Sequence, residues 1–352
     1  MGSRALSFVL PGDLNTRTGG YGYDREIIAG LRDLGWHVDV HSLDASFPFP
    51  STAALDAARA TLAAIPDDRL VIVDGLAFGA MPEIAQAEAR RLRLVGLVHH
   101  PLALETGLTP EQADMLRTAE RRALAATRAV IVTSAATRST LQDYAVPPGH
   151  VTVVEPGTAS APAASGSGSR ELTLLCVASL TARKGHDLLF AALSGLKAFG
   201  WRLDCIGGAM GDERRFGDLQ EQLRSHGLLK RVTFAGEGDD AMVGRAYAAA
   251  DLFVLPTRYE GYGMVVAEAL ARGLPVVSTR TGAIADLVGE HAGLIVPPGD
   301  LTALRMALRR FLSDADLRAS LRQGALAVRS RLPQWQDSAR KVASVLDGIL
   351  HS

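Results

Sequence analysis

Short apolar runs alternate with longer stretches of helical periodicity along almost the whole chain, and this alternation constrains the fold more than any other feature. In the first half, the runs Ala5–Leu10, Val38–Ser42 and Leu70–Val73 are separated by the helical patterns Tyr23–Leu34 and Ala53–Ala64. Apolar runs without polar alternation are typical of strands buried on both faces, as in a parallel sheet covered by crossover helices. The sequence therefore predicts an α/β fold.

The alternation is interrupted once and then starts again. Residues 157–170 consist almost entirely of Gly, Ser, Ala, Thr and Pro, a composition that cannot form a core and is typical of a linker. The next apolar run, Leu172–Val177, opens a second complete α/β pattern. We therefore predict an N-terminal domain over 1–156 and a C-terminal domain over 171–332.

Charge balance excludes one broad class of partner. The 352 residues include 37 Lys and Arg against 38 Asp and Glu, a formal net charge of −1. No overall positive field is present to attract nucleic acid, so we expect no nucleic-acid partner. The excess of basic over acidic residues after residue 157 favours an anionic ligand on the second domain.

Cysteine and hydropathy patterns bear on the compartment. Cys176 and Cys205 each lie inside an apolar run, where a buried, reduced thiol is the commoner state. The opening run Ala5–Leu10 is too short for a signal sequence, and no stretch of about 20 apolar residues occurs. We therefore expect a cytoplasmic protein without a transmembrane segment, and leave peripheral contact with the inner membrane face open.

The strongest candidate binding segment is Glu260-Gly-Tyr-Gly-Met-Val-Val-Ala-Glu268, which follows the apolar run Leu252–Leu255. Its glycines allow the N–H groups of Gly261–Met264 to approach a ligand, and the positive end of the next helix points the same way. Ionised carboxylates only accept hydrogen bonds, so Glu260 and Glu268 suit two sets of sugar hydroxyls. The alternative, a Glu260 that only favours the helix dipole and a solvated Glu268, stays open here.

These residues carry a family resemblance. Tyr259-Glu-Gly-Tyr-Gly-Met, with Ala267-Glu-Ala-Leu-Ala-Arg-Gly-Leu-Pro-Val-Val, resembles the E-x7-E segment of retaining family 4 glycosyltransferases, which have the GT-B fold. Thr18-Gly19-Gly20 is similar to the opening glycine-rich loop of that family, and the resemblance covers nearly the whole chain. It implies two Rossmann-like domains facing each other across a cleft, with a last helix in 333–352 crossing back to the N-terminal domain.

The resemblance also implies a donor site built largely from backbone groups. Glu268 is expected to bind the ribose, and Gly207-Gly208 to lie along the nucleotide. The expected donor-binding residues are Gly19, Gly20, Gly207, Gly208, Gly261, Tyr262, Gly263, Met264, Val265 and Glu268.

Arg183-Lys184 resembles the diphosphate-binding basic pair of the family. Two cations at a strand-to-helix turn offset the charge of a diphosphate through ionic hydrogen bonds. Relatives often carry Gly-Arg just after this strand, whereas this chain has Ala178-Ser179, so Arg183 has a larger share of the task. A merely solvated basic turn is the alternative.

His99 matches the position at which relatives place a histidine beside the transferred sugar. Its neighbour His100 makes the assignment ambiguous, and a satisfied core histidine is the alternative. Metal binding is disfavoured, because His99 and His100 would point to opposite faces of a strand and no nearby acidic or thiol set supplies a third ligand in the sequence.

The implied function is transfer of a hexosyl unit from a UDP- or GDP-hexose to a hydroxyl acceptor, with retention at the anomeric carbon. The catalytic set is then His99, Arg183, Lys184 and Glu260, with no cofactor and no required metal. The acceptor, a small molecule, a glycan or a lipid-linked sugar, is not defined by the sequence. Open alternatives are a GT-B epimerase, a phosphorylase and a non-catalytic nucleotide-sugar binding protein; a dehydrogenase is disfavoured because no Gly-x-Gly-x-x-Gly directly follows a strand.

Overall fold

The structure is a computed structural model that describes residues 4–209 and 212–351. Two units divide the chain: residues up to Gly157 together with those from Pro333 onward, and Thr158–Leu332. Each unit contains one six-stranded sheet in which every paired strand runs parallel to its neighbours. The two α/β patterns of the sequence are thus confirmed.

Strand order in the first unit reverses direction once. Its strands are β1 (Ala5–Pro11), β2 (His37–Leu43), β3 (Leu70–Asp74), β4 (Arg93–Val98), β5 (Ala129–Val132) and β6 (Val151–Val153). Its helices are α1 (Gly19–Asp33), α2 (Thr52–Ala63), α3 (Gly75–Phe78), α4 (Pro82–Glu88), α5 (Pro110–Leu124), α6 (Ala135–Thr140) and the C-terminal helix (Trp335–Leu350). The order β2-β1-β3-β4-β5-β6 places β2 and β3 on opposite sides of β1. Ligands in such sheets bind beyond the carboxyl ends of the strands at this reversal.

The second unit repeats this plan. Its strands are β7 (Leu172–Val177), β8 (Trp201–Ile206), β9 (Val232–Phe234), β10 (Leu252–Leu255), β11 (Val276–Thr279) and β12 (Gly293–Val296). Its helices are α7 (His186–Ser194), α8 (Glu213–Ser225), α9 (Asp240–Ala249), α10 (Met264–Ala271), α11 (Ile284–Val288), α12 (Leu301–Ser313) and α13 (Ala315–Arg329). The order β12-β11-β10-β7-β8-β9 puts the reversal between β7 and β10.

Central strands and the inner faces of the helices form the core of each unit. All four residues of β10 are fully buried, as are Phe8 of β1 and Trp201 of β8. The central strands are mainly apolar because helices cover both faces of each sheet. Such a scaffold fixes the positions of the loops that follow the strands.

The C-terminal helix packs on α1 within the first unit. An added Cβ at Gly30 of α1 would lie 2.5 Å from the Cβ of Ala339, so glycine permits the close approach of the two helices. Ser338 Oγ donates a hydrogen bond to the carbonyl oxygen of Glu155 at 2.7 Å. These contacts place the last helix in the same unit as β1 to β6, although about 175 residues separate them in sequence.

The stretch predicted as a linker, 157–170, contains no helix or strand, but it is anchored to the second unit. Ala164 is buried, and its N–H donates to the carbonyl oxygen of Arg272 at 2.8 Å. Asp251 accepts hydrogen bonds from the backbone N–H groups of Ser167 and Thr173. Composition alone gives no sign of these bonds, because the backbone and not the side chains of the stretch make most of them.

Helices α3, α4, α6, α11 and α13 are absent from the sequence prediction, because all but α13 are shorter than three turns and give a weak periodic signal. Within residues 4–209 and 212–351, no helix is both long enough and apolar enough to cross a membrane.

Candidate functional site

The basic pair of the second unit lies in the loop after β7, at the reversal of strand order. Arg183 and Lys184 occupy a short 3₁₀ turn that ends at Gly185, whose φ of 75° lies in the left-handed region. An added Cβ at Gly185 would lie 2.1 Å from the carbonyl oxygen of Pro256, in the loop after β10. Glycine therefore allows the two strand-end loops to come into direct contact.

Backbone bonds hold the carbonyl of Arg183 against the second loop. Its oxygen accepts hydrogen bonds from Arg258 N–H at 2.7 Å and from Thr257 Oγ1 at 3.0 Å. The basic turn is thus fixed from behind by residues of the β10 loop, while its side chains remain partly exposed.

Both basic side chains converge on Glu260. Arg183 Nη1 lies 3.2 Å from Glu260 Oε1, and Lys184 Nζ pairs with the same oxygen. All three side chains are less than a fifth exposed, so water screens these ion pairs less than surface pairs. Glu260 is 77 positions from Arg183 and 76 from Lys184 in the sequence, yet the three side chains form one charged cluster. The sequence analysis predicts all three as parts of one donor site.

A second ion-pair network adjoins the basic turn and was missed by the sequence analysis. Asp187, at the start of α7, pairs with Arg258 at 2.7 Å and with Arg215 at 2.9 Å. Although partial burial raises the pKa of Asp187, the bonds and charge of Arg258 lower it more, so the carboxylate is ionised at neutral pH. The two adjoining networks thus bring together four cations, Arg183, Lys184, Arg215 and Arg258, with the carboxylates of Asp187 and Glu260.

Glu268 forms a separate polar group on α10. Its Oε2 lies 3.1 Å from Tyr247 Oη, and its backbone carbonyl accepts a hydrogen bond from Arg272 at 2.9 Å. The Arg272 guanidinium stacks over the Tyr247 ring, 4.5 Å from the ring centroid. Burial raises the pKa of Glu268, while Tyr247 and Arg272 lower it. Glu268 is thus a partly buried residue whose carboxylate has a hydrogen-bond partner, Tyr247.

Gly207 and Gly208 lie between neighbouring strand-end loops. An added Cβ at Gly207 would lie 2.0 Å from the carbonyl oxygen of Ala178, and its N–H donates to Gly236 at 2.8 Å. At Gly208 the added atom would meet Glu237 Oε1 at 2.4 Å. Both glycines therefore permit a close approach of three loops, at the edge where the sequence predicts the nucleotide.

The segment Gly261–Val265 offers backbone groups rather than side chains. Gly263 has a φ of 96° and precedes Met264, the first residue of α10. Tyr262 is only 4% exposed, so its predicted contact with the sugar donor would be made by its backbone and not by its side chain. Val265 is half-buried and its carbonyl oxygen lies 3.0 Å from Tyr247 Oη.

The two thiols are buried and free, as the sequence predicts. Cys176 Sγ lies 3.6 Å from His186 Nε2, beneath the basic turn. Burial raises the pKa of Cys176 to about 12 and lowers the pKa of His186 to about 4, so both are neutral at pH 7. This pair supplies packing and no nucleophile.

In the first unit, the glycine loop leads directly into α1. Thr18 caps the helix by accepting from Tyr21 N–H, and Gly19 and Gly20 form its first turn. An added Cβ at Gly20 would lie 3.4 Å from Cδ2 and 3.6 Å from Nε2 of His99. The structure therefore brings the predicted glycine loop against the predicted histidine.

His99 is held by two buried carboxylates that the sequence analysis did not identify. Its Nε2 lies 3.2 Å from Asp24 Oδ1 and 3.2 Å from Asp74 Oδ2. Burial lowers the pKa of His99, but Asp24 and Asp74 raise it more, so the net pKa lies well above its ordinary value. No acidic set lies close to His99 in the sequence, but the fold supplies two carboxylates, because β1, β3 and β4 are neighbours and bring these residues together.

His100 takes a different environment. Its Nε2 lies 3.3 Å from Glu105 Oε2, on the segment that follows β4, and both side chains are partly exposed. His99, not His100, adjoins the glycine loop, so the ambiguity left by the sequence is resolved in favour of His99 as the residue beside Gly20.

Sequence comparisons give two family matches. Residues 159–327 match the family described as glycosyl transferases group 1, and residues 69–160 match glycosyltransferase family 4. The lipopolysaccharide core biosynthesis mannosyltransferase LpsB of Rhizobium meliloti is 33% identical over 181 residues, which are 50% of this chain and 51% of the relative. The D-inositol 3-phosphate glycosyltransferase of Nocardioides sp. is 29% identical over 267 residues, 69% of this chain and 58% of the relative. The chain spans about half the length of these curated relatives.

Structure comparisons agree on the fold. Sucrose-phosphate synthase from Thermosynechococcus elongatus has a TM-score of 0.82 at 22% identity, covering 98% of this chain and 99% of the neighbour. Anabaena Alr3699/HepE, solved in complex with UDP and glucose, has a TM-score of 0.77 at 20% identity, covering 97% and 99%. The predicted GT-B fold is confirmed.

Proposed function

We propose, on the premise that this chain belongs to the group 1 glycosyltransferases, that it moves a hexosyl unit from a UDP- or GDP-hexose to a hydroxyl acceptor with retention of anomeric configuration. The observation that carries the proposal is the convergence of Arg183 and Lys184 on Glu260 at the reversal point of the second sheet.

The basic pair is assigned to the leaving group. As the bond to the anomeric carbon breaks, negative charge develops on the departing diphosphate, and cations fixed beforehand stabilise that charge. Arg183 and Lys184 are held in place by the β10 loop and by Asp187 with its arginines, so little reorganisation is needed when the charge appears. No step in this scheme requires a metal, and we propose a metal-independent reaction.

Glu260 is assigned to the transferred hexose. In the structure its carboxylate lies between the two cations, and its Oε1 lies 3.4 Å from Thr257 Oγ1. A carboxylate so placed can exchange a cation partner for sugar hydroxyls, while the freed cation binds phosphate oxygens. Backbone N–H groups of Gly261–Val265 and of Gly208 are assigned to other donor oxygens, and Gly207 to the close approach of the backbone to the nucleotide.

Glu268 is assigned to the ribose hydroxyls. Its contacts with Tyr247 and Arg272 hold the carboxylate in one orientation, and burial reduces competition from water. In the first unit, His99 is assigned to orienting the hexose and Gly19 and Gly20 to backbone contacts with the donor. The acceptor class, a small molecule, glycan or lipid-linked sugar, follows from the family and not from a feature of this chain.

Thermal stabilisation by a panel of nucleoside diphosphates and nucleotide sugars is the first test. A ligand that binds only the folded state raises the melting temperature, so UDP or GDP and the matching sugar donor should stand out. Lys184→Met should abolish the shift, whereas Lys230→Met, an exposed lysine of the same unit, should retain it. Equal ligand-induced shifts of the melting temperature in Lys184→Met and Lys230→Met would contradict the assignment of the basic pair to the donor site.

Calorimetry with the preferred nucleotide and its 2′-deoxy analogue tests the ribose role. Glu268→Gln should reduce the preference of the wild type for the ribose form, while Glu221→Gln, an exposed helix glutamate, should not. An unchanged preference in Glu268→Gln would refute the assignment.

Turnover is measured as nucleoside diphosphate release, with and without EDTA, and the product anomer is read by NMR. Donor binding without release would mean a binding protein, loss of turnover with EDTA would contradict metal independence, and an inverted anomer would contradict retention. Arg183→Ala should reduce kcat more than it changes hexose selectivity, with Arg224→Ala, an exposed arginine, as the control.

A further inference from the structure

Two buried carboxylates and one histidine form a closed polar cluster in the first unit. Asp24 of α1 is fully buried, Asp74 at the end of β3 is 3% exposed, and the His99 side chain is 20% exposed. The Asp24 contact has hydrogen-bond geometry. An ionised carboxylate only accepts hydrogen bonds, so opposite an ionised Asp24 the His99 Nε2 carries a proton and donates it. The second carboxylate lies at the same distance from the same nitrogen.

The carboxylates are themselves fixed. Asp74 Oδ1 accepts from the N–H of Leu76 at 2.7 Å and caps α3, so Asp74 presents its other oxygen to His99. Asp24 follows Gly20 by one helical turn on α1, and therefore lies on the face that carries the Gly20 contact with the ring. Neither carboxylate can turn away without breaking a helix start or leaving the core.

The ring is also enclosed on one edge. Gly20 lies against the Cδ2–Nε2 edge, and Tyr23 contacts the ring edge-on with 5.3 Å between centroids. Nδ1 lies on the edge away from Gly20, and it makes no hydrogen bond with any residue in 4–209 or 212–351. This nitrogen is therefore the one that remains for a ligand.

We propose that Asp24 and Asp74 are positioning residues that keep His99 doubly protonated, so that the ring presents an Nδ1–H donor to a ligand oxygen and cannot serve as a proton acceptor. A neutral ring with Nε2 as the donor would offer a lone pair at Nδ1 instead, so the charge on the cluster decides which ligand atoms it binds. The part played by this donor in sugar transfer rests on the proposed function, whereas the protonation state does not.

Electrostatics of the surrounding elements supports this assignment. The titratable groups that face the cluster are Tyr21, Tyr23 and Asp24 of α1 and Asp74 of β3, while β5 contributes only the uncharged Thr133, which donates to the carbonyl oxygen of His99. Burial raises the pKa of Tyr21 to about 12 and also raises that of Tyr23, so neither ionises near neutrality. Burial raises the pKa of Asp24. The charge of His99 lowers this pKa, and the neighbouring Asp74 raises it further. The carboxylates are thus the groups that control the ring.

The wild-type protein provides the first test. Long-range proton–nitrogen NMR distinguishes a doubly protonated imidazole ring from either neutral form, and His99→Gln identifies the signal among the nine histidines. We expect His99 to be doubly protonated at pH 8. A neutral ring at pH 8, or a pKa near 6.5, would overturn the proposal.

Neutral variants of the same size isolate the charge. Asp74→Asn keeps an oxygen that can accept from Leu76 N–H, and Asp24→Asn keeps an acceptor for Nε2–H, but each removes a negative charge. Each should lower the pKa of His99 toward 6.5. Asp39→Asn is the control, because Asp39 pairs with the exposed His37 on β2. If Asp24→Asn does not fold, Asp74→Asn and the wild-type titration still decide the question.

The pH dependence of turnover separates this inference from the proposed function. With a pKa of 6.5, only about 3% of His99 is protonated at pH 8, so turnover by Asp74→Asn should fall by up to about 30-fold between pH 5.5 and pH 8. The wild type should show no such fall from His99. Identical pH profiles for Asp74→Asn and the wild type would refute the inference and leave the proposed function intact. A doubly protonated ring in a protein that turns over no nucleotide sugar would refute the proposed function and leave the inference intact.

Metal binding is the competing interpretation, since one ligand atom from each of the three side chains lies within 4.8 Å of the others. Mn²⁺ added at one equivalent broadens the signals of nuclei close to it. Broadening of the His99 signal in the wild type that disappears in Asp74→Asn would overturn the proposal, and an unaffected His99 signal is the expected result.

Discussion

Gly185 determines where the basic pair lies, and its replacement provides the most direct test of the site geometry. The residue has a left-handed φ of 75°, and an added Cβ would lie 2.1 Å from the carbonyl oxygen of Pro256. Alanine therefore introduces both backbone strain and a steric clash with backbone. We predict that Gly185→Ala destabilises the second unit and displaces Arg183 and Lys184.

Gly227 separates the two effects. It also has a left-handed φ, 64°, but an added Cβ would have only the tip of Lys197 nearby, at 3.6 Å. A left-handed conformation costs an L-residue about 1–2 kcal/mol, and the smaller conformational entropy of the unfolded alanine chain offsets about 0.4–1 kcal/mol of that cost. Gly227→Ala should therefore lose about 1 kcal/mol.

For Gly185→Ala the clash adds to this loss. The turn must move by more than 1 Å to restore an ordinary contact distance, which costs about 1–3 kcal/mol as an overpacking effect. That movement also stretches the bonds from Arg258 N–H and Thr257 Oγ1 to the Arg183 carbonyl, each worth about 1 kcal/mol. We expect a total loss of about 3–5 kcal/mol.

Calorimetry of both variants gives the readout. At about 2–4 °C per kcal/mol for a domain of this size, Gly227→Ala should lower Tm by about 3 °C and Gly185→Ala by about 10 °C. Nucleoside diphosphate binding should weaken only in Gly185→Ala. Equal changes in Tm and in binding for the two variants would mean that Gly185 is not in close contact with the Pro256 carbonyl.

Three further predictions concern the rest of the chain. Asp251→Ala removes the acceptor of Thr173 N–H and the anchor of the 157–170 stretch. That stretch should become sensitive to protease, while nucleotide should still raise the melting temperature of the variant. Burial raises the pKa of Glu120 to about 8, so the folded chain holds a proton that the unfolded chain releases above its ordinary pKa. The free energy of unfolding then falls as pH rises toward 8, and Glu120→Gln should gain up to about 1.4 kcal/mol per pH unit relative to wild type in that window, measured by urea denaturation. Cys176 and Cys205 should not react with a thiol reagent at pH 8 until the chain is unfolded, and rapid reaction of the native protein would contradict their burial.

Local patterns were sufficient to predict most of the fold. The strands Leu172–Val177 and Leu252–Leu255 agree with the sequence prediction to the residue, and the C-terminal helix, Trp335–Leu350, lies within the predicted range 333–352. Their signal is strong because strands buried on both faces are apolar throughout and a long amphipathic helix repeats its pattern over four turns. Helix α3, with four residues, gives no comparable signal, and its capping residue Asp74 was identified only in the structure.

Candidate site residues were predictable where they follow strands in single segments. Arg183, Lys184 and Glu260 each lie in a loop after a strand, and the order of the second sheet makes those two loops neighbours. The arginines around Asp187 were not predictable in the same way, because Arg215 lies on α8 and its approach to α7 depends on helix packing that periodicity does not define.

The carboxylates around His99 show how far the same reasoning extends. Asp74 ends β3, His99 follows β4, and these strands are adjacent in the parallel sheet of the structure, so the rule that carboxyl ends share one edge accounts for their proximity. Asp24 lies four residues after Gly20, which places both on one face of α1. A search for acidic residues near His99 along the sequence fails because the sheet, and not the chain, makes the neighbours. The same search conducted over strand ends would have paired His99 with Asp74, and the face of α1 that carries Gly20 would have added Asp24 as the second buried acid.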